Sequence, residues 1–376
     1  MHRNLYSTRM TQLSSYITEA QVLMAQELIN QSNNVVILTH MSPDGDAMGS
    51  SLAIRHFLEA QGKQVNVIVP NAFPDFLAWL PKADLHIIYE KSKADADAIL
   101  EQAELVICTD FNDPKRIGSL GDKLLTLSCK KMMIDHHLHP ASFPDLTISY
   151  PACPSTCELV YRLICDLQRS DLQHSDLQLS DLQRSDLTNI ATCIYTGMMT
   201  DTGNFSFNSN HAEMYQIISE LVAAGVDKDA IYNRVFNAYS ADRMRLMGYC
   251  LYQKMKIYPE HHTALIYLSR KELYRFNFQS GDAEGIVNLP LQIKDVYYSV
   301  FMREDKVNPS EVGLAGGSKN KIKISLRSQG DRPVNVFAKD IFGGGGHANA
   351  SGGEYYGPLP EAVQRFLDNY QDYFVL

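Results

Sequence analysis

At 376 residues the chain is long for a single hydrophobic core, so two domains are expected. Hydrophobic residues at 45% and charged residues at 20% describe an ordinary globular protein and exclude a disordered or fibrous one. The net charge of −9 argues against a sequence-independent grip on long nucleic acid, so no long-DNA binding is expected.

The first residues, MHRNLYSTRMTQ, carry no signal-peptide core, and no apolar stretch reaches membrane-spanning length. With seven cysteines scattered through apolar segments, a reduced, cytoplasmic protein without a membrane partner is expected. A helix is predicted at about 18–31, then a buried strand from Val35 to Thr39, then a helix from Ala47 onward. Between strand and helix lies HMSPDGD, which puts His40, Asp44 and Asp46 at the carboxyl end of a strand, where open α/β sheets hold ligands. Ser42, Pro43, Asp44 and Gly45 are also ordinary turn formers, so the segment needs its context.

That context follows along the chain. Further strands are expected near 65–69, 105–109 and 131–134; the second of these three ends in Asp110 and the third in Asp135, His136 and His137. Cys153 and Cys157 have no second pair to complete a zinc site. Residues 166–187, DLQRSDLQHSDLQLSDLQRSDL, repeat a five-residue unit that forms neither one helical stripe nor a heptad. They read as an expansion that lengthens a helix end or surface loop. Ala191 to Met199 has helical length and runs into Thr200, Asp201, Thr202 and Gly203. Helices continue through HAEMYQIISELVAAG, which closes on Gly225, and a segment from Arg243 to Met255.

TALIYLS, DVYYSVFMRED and KIKISLRS read as strands of a smaller mixed domain, and KIKISLRS alternates solvated charge with buried Ile and Leu. Residues 301–340 hold eight Lys and Arg against five acids, a surplus that suits a short phosphate ligand. A helix from Pro333 to Ile341 leads into four glycines at 343–346 and His347, where backbone amides can approach an anion.

Imidazole nitrogen combined with hard carboxylate oxygens suits Mn²⁺, Mg²⁺ or Fe²⁺. Two divalent ions about 3.5–4 Å apart need a bridging carboxylate and several terminal ligands, and such a pair clamps phosphoryl oxygens. The sheet is expected to be parallel and doubly wound, since strands alternate with helices.

HMSPDGD at 40–46, Asp110, DHH at 135–137 and TDTGNF at 200–205, followed by FGGGGHANASGG at 342–353, resemble the motifs of the DHH phosphoesterase superfamily with a C-terminal DHHA1 domain. The resemblance is strongest to the nano-RNase branch, the bifunctional oligoribonucleases and pAp phosphatases. It implies one metal held by His40, Asp44 and Asp110 and a second held by Asp46, Asp110, His136 and Asp201, most readily Mn²⁺ with Mg²⁺ as the alternative. Asp110 would bridge, His137 would face the substrate, and Asp135 would orient a histidine. Arg327, Gly344, Gly345, Gly346 and His347 would bind substrate phosphates. The implied organisation is a catalytic DHH domain over 1–240 with the repeat 166–187 inserted, a linker helix over 241–257, and a substrate-binding DHHA1 domain over 258–376. The implied substrates are very short oligoribonucleotides, cut to mononucleotides, and pAp, cut to AMP. Cleavage of cyclic or linear dinucleotides is the alternative within the superfamily, and a nucleotide-binding regulatory protein is the alternative outside enzymes. A homodimer is left open.

Overall fold

A computed structural model of the chain describes residues 16–174, 184–279, 281–306 and 320–374, and it divides into two compact units, Met1–Asn237 and Ala238–Leu376. The first unit is built on six parallel strands: β1 (Asn34–Leu38), β2 (Gln64–Val69), β3 (Ile87–Ile88), β4 (Leu105–Thr109), β5 (Lys130–Asp135) and β6 (Leu146–Ser149). Their order in the sheet is β3-β2-β1-β4-β5-β6, so the chain steps outward one way from β1 and then the other way from β4. That reversal opens a crevice at the carboxyl ends of β1 and β4.

The central strands β1, β4 and β5 carry continuous apolar runs because both faces of the sheet are covered there. Val35 and Ile37 join one core with Leu105, Ile107, Met132 and Ile134, while Val36 and Leu38 join the opposite core with Val106, Cys108 and Met133. The first core is closed by α1 (Glu19–Asn30), α2 (Gly45–Glu59), and the later helices α5 (Thr156–His174), α6 (Arg184–Asp201), α7 (Ala212–Ala223) and α8 (Lys228–Phe236). The opposite core is closed by α3 (Lys93–Glu101) and α4 (Ser119–Thr126). Helix α2 begins at Gly45, two residues before the first apolar position, because Asp44 caps it: its Oδ1 accepts from the N–H groups of Asp46 at 3.0 Å and Ala47 at 3.1 Å. The described parts of the repeat lie in helix, Asp166 to His174 ending α5 and Arg184 to Leu187 opening α6; its residues 175–183 lie outside the described residues.

The second unit begins with α9 (Ala241–Tyr249) and a π-helical turn at Cys250–Lys254. Its six-stranded mixed sheet has the order β11-β12-β10-β9-β8-β7, from β7 (Lys256–Tyr258), β8 (Thr263–Leu268), β9 (Tyr298–Lys306), β10 (Asn320–Ser328), β11 (Gly345–His347) and β12 (Ala350–Tyr356). Among the described residues of this sheet only β8 and β9 pair in parallel. Val300, Met302, Ile322, Ile324 and Leu326 pack under α11 (Asn335–Phe342) and α12 (Leu359–Asn369), while Ile266, Leu268 and Phe301 pack against Leu246 of α9 and Leu273 of α10 (Arg270–Arg275).

The charged positions of β10 depart from the expected solvated alternation. Lys321 has a side chain only 5% exposed and pairs with Glu354 at 2.7 Å, and Lys323 lies 3.6 Å from Asp305, so part of the basic surplus is neutralised within the sheet. Among the described residues no helix is long and apolar enough to cross a membrane.

Candidate metal centre

Strand ends and helix termini deliver every group of the site. His40 follows β1 and Asp110 follows β4, one on each side of the crevice where the strand order reverses. Asp135 ends β5, with His136 and His137 just beyond it; Asp46 lies in the first turn of α2, and Asp201 ends α6. Asp110 has φ of +63°, a left-handed conformation that aspartate tolerates better than most residues. Its N–H donates to the Ile134 carbonyl at 3.0 Å, which holds that turn in place.

The side chains converge in two groups that share Asp110. His40 Nε2 lies 3.3 Å from Asp110 Oδ2 and 3.7 Å from Asp44 Oδ2. His136 Nε2 lies 3.4 Å from Asp201 Oδ2, 3.6 Å from Asp110 Oδ1 and 3.8 Å from Asp46 Oδ2. Asp110 therefore turns a different carboxylate oxygen toward each group. His40, Asp46, Asp110 and His136 are buried, whereas the Asp44 and Asp201 side chains are 47% and 29% exposed and give the centre its open side.

The imidazoles are held with Nε2 inward. His40 Nδ1 sits 2.9 Å from the Met41 carbonyl and His136 Nδ1 sits 3.1 Å from the Cys153 carbonyl. A carbonyl only accepts, so each Nδ1 carries a proton and donates, and a neutral ring keeps its lone pair on Nε2. His137 is held differently, its Nδ1 2.7 Å from Asp135 Oδ1 and its backbone N–H donating to Asp135 Oδ2 at 2.9 Å.

Charge is the dominant physical problem of this site. Burial pushes the Asp46 carboxyl well up, and the nearby carboxylates of Asp110 and Asp201 push it further. Burial alone would lower His40, but Asp44 and Asp110 outweigh it and raise the imidazole to about 10. Carboxylates crowded out of water attract a cation, and a divalent ion supplies that charge in place of protons. The His40, Asp44 and Asp110 ligand atoms lie within 4.8 Å of one another, as do those of Asp46, His136 and Asp201, so either group could hold a metal ion. Nitrogen with hard oxygen donors fits Mn²⁺ or Mg²⁺.

Three contributors to the centre are not marked by the local sequence: Thr156, Cys157 and Gly197. Asp46 Oδ2 accepts from the Thr156 N–H at 2.6 Å and Oδ1 from the Cys157 N–H at 2.8 Å, while Thr156 Oγ1 donates to Asp110 Oδ1 at 2.9 Å. Gly197 of α6 lets that helix pass close by: a Cβ there would stand 2.1 Å from Cys157 Sγ and 2.9 Å from Asp46 Oδ1. The Ser-Thr pair at 155–156 ahead of an apolar helix signals a helix start, but nothing local names its partners.

The remaining candidates lie in the second unit. Ala350 of β12 pairs with Arg327 of β10 on one side and with His347 of β11 on the other, which places Arg327 and His347 in one row on one face of the sheet. The glycine run is partly structural. Gly343, at φ of +62°, ends α11, and the Gly344 N–H donates to the Ala338 carbonyl at 3.0 Å, so that amide serves the helix end rather than an anion. Gly345 differs, with open space where a side chain would stand.

Comparison with known proteins agrees with this architecture. Residues 34–198 match the N-terminal domain of the DHH family, and residues 266–375 match the DHHA1 domain. The bifunctional oligoribonuclease and PAP phosphatase NrnA of Thermus thermophilus is 28% identical over 93% of this chain and 93% of its own. The cyclic-di-AMP phosphodiesterase PdeA of Listeria monocytogenes is 23% identical over 87% of this chain but only 45% of its own. A crystal structure of an exopolyphosphatase-related protein from Bacteroides fragilis is 46% identical, covers 96% of this chain and 98% of its own, and superposes with a TM-score of 0.83.

Proposed function

The chain belongs to the DHH/DHHA1 phosphoesterase superfamily, and on that premise we propose that it uses two divalent metal ions, Mn²⁺ or Mg²⁺, to hydrolyse very short oligoribonucleotides to mononucleotides and pAp to AMP. The observation that carries the proposal is Asp110 turning one oxygen to the His40 group and the other to the His136 group, at 3.3 and 3.6 Å. That arrangement suits a bridging carboxylate, with His40 and Asp44 completing one metal site and Asp46, His136 and Asp201 the other. When bound, the ions supply Lewis acidity toward the phosphoryl group and make water more acidic.

The protein's own groups do the rest. The Met41 and Cys153 carbonyls fix the rings of His40 and His136, and Asp135 fixes His137, which faces the substrate phosphate. Arg327 and His347, in one row with Gly345 and Gly346 beside them, bind phosphates other than the one being cleaved. Holding the remote phosphate orients the reacting one, which favours short substrates with two or more phosphates.

Full-length correspondence to the oligoribonuclease and PAP phosphatase, against less than half of the cyclic-di-AMP enzyme, favours this substrate class over cyclic dinucleotides. Phosphate release from pAp tests the proposal against a protein that only binds nucleotides. Release is expected with Mn²⁺ and none with excess chelator; no release at any divalent metal refutes turnover of pAp.

A further inference from the structure

The geometry points to Thr156 as a positioning residue that sets the two carboxylates of the metal centre relative to each other. This inference rests on the metal-centre reading above, and it concerns a residue that is not itself a ligand. Thr156 is fully buried and opens α5, a helix of 19 residues whose first N–H groups have no partner within the helix. Those amides are taken up by another helix's side chain: the Thr156 and Cys157 N–H groups donate to the two oxygens of Asp46, at 2.6 and 2.8 Å. The positive end of the α5 dipole faces the same carboxylate and favours its anionic form.

The hydroxyl does something separate. Thr156 Oγ1 donates to Asp110 Oδ1 at 2.9 Å, so one residue grips Asp46 through its backbone and Asp110 through its side chain. Asp110 Oδ1 is the oxygen that faces His136, and fixing it also fixes the direction of Oδ2 toward His40. A carboxylate free to rotate about its χ2 would present its oxygens to the two groups only part of the time. The bond from Thr156 removes that freedom before any metal arrives, which is how supporting hydrogen bonds sharpen a metal site.

Helix capping alone is the competing account, and the two separate cleanly. Thr156→Val keeps the branched shape and the backbone N–H that serves Asp46, and it replaces the hydroxyl with a methyl group. Thr156→Ala deletes the hydroxyl without adding bulk, and Thr156→Ser restores it. Mn²⁺ binding to the full chain, measured by titration calorimetry without substrate, reads the centre independently of any activity. Loss of a supporting partner of this kind costs about 10–100-fold in metal affinity. Thr156→Val and Thr156→Ala are expected to weaken Mn²⁺ binding by that range, and Thr156→Ser to stay close to the original protein. Far-ultraviolet circular dichroism identifies which hydroxyl-free variants are folded, and either one suffices. Unchanged affinity in a folded hydroxyl-free variant, or a Thr156→Ser variant as weak as Thr156→Val, overturns the assignment. Failure of the original chain to bind Mn²⁺ or Mg²⁺ overturns the metal-centre reading and Thr156's role together, whereas failure to cleave pAp leaves the Thr156 result decisive.

Discussion

Gly197→Ala adds one methyl group at the place where α6 passes the metal centre. The new Cβ would meet Cys157 Sγ at 2.1 Å, Asp46 Oδ1 at 2.9 Å and the Asp46 Cα at 3.1 Å. Alanine is favoured over glycine within a helix by about 1 kcal/mol, so intrinsic propensity alone predicts a more stable protein. Overpacking opposes it at about 1–3 kcal/mol, and a contact of 2.1 Å lies far inside any van der Waals separation, so overpacking wins. The net loss should be up to about 2 kcal/mol, a fall of up to about 8 °C in the melting temperature of a unit this size. Activity should fall further than stability, because the displaced atoms are those that seat Asp46. Thermal unfolding by circular dichroism and Mn²⁺-dependent phosphate release from pAp read the two effects. Adding Cys157→Ala removes the nearest clashing atom and should recover part of the lost stability. A Gly197→Ala variant with an unchanged melting temperature and full rate would refute the close-packing argument.

Asp110→Asn should abolish turnover with the fold intact, since an amide offers only one neutral oxygen to two cations; a folded variant retaining more than about a tenth of the original rate would contradict the bridging role. Arg327→Ala should raise KM and lower kcat on pAp while sparing bis-p-nitrophenyl phosphate, which has no second phosphate; equal losses on both would place Arg327 outside substrate binding. His86 gives a stability prediction away from the centre. Burial, with Arg55 adding, pushes its imidazole down to about 4, and its buried Nε2 has no partner. The neutral ring is therefore the folded form, so its contribution is present above an unfolded pKa of about 6.5 and is lost as pH falls toward 4. Urea unfolding of His86→Gln should show a shallower loss of stability than the original protein between pH 6.5 and 4, and identical slopes would remove His86 from the account.

What the sequence made legible follows from burial. The strands β1, β4 and β5 are apolar on both faces and announce themselves as unbroken runs, each ending in polar residues of the crevice or beside it, and β2 keeps the pattern apart from Asn66. The edge strands did not. Ile87–Ile88 is two residues long and only partly buried, and Leu146–Ser149 alternates buried and half-buried positions, so neither forms a run that stands out. The metal ligands were legible because each sits where a strand or helix starts or stops. The Thr156 and Cys157 contacts to Asp46 were not, because they join residues 110 and 111 positions apart and depend on where α5 lies against α2. Local sequence presents glycines 343–346 as one anion-binding run and does not show that the Gly344 amide finishes α11. Alternation along β10 likewise predicts a solvated Lys321, whereas its burial depends on a neighbouring strand that supplies Glu354.

The most direct test is a side-by-side time course with Mn²⁺ on RNAs of two to ten nucleotides, pAp and a cyclic dinucleotide, with products resolved by chromatography. The account predicts mononucleotide products, rates that are highest for the shortest RNAs, and conversion of pAp to AMP. Faster cleavage of the ten-nucleotide RNA than of the dinucleotide, or turnover confined to the cyclic dinucleotide, would contradict it.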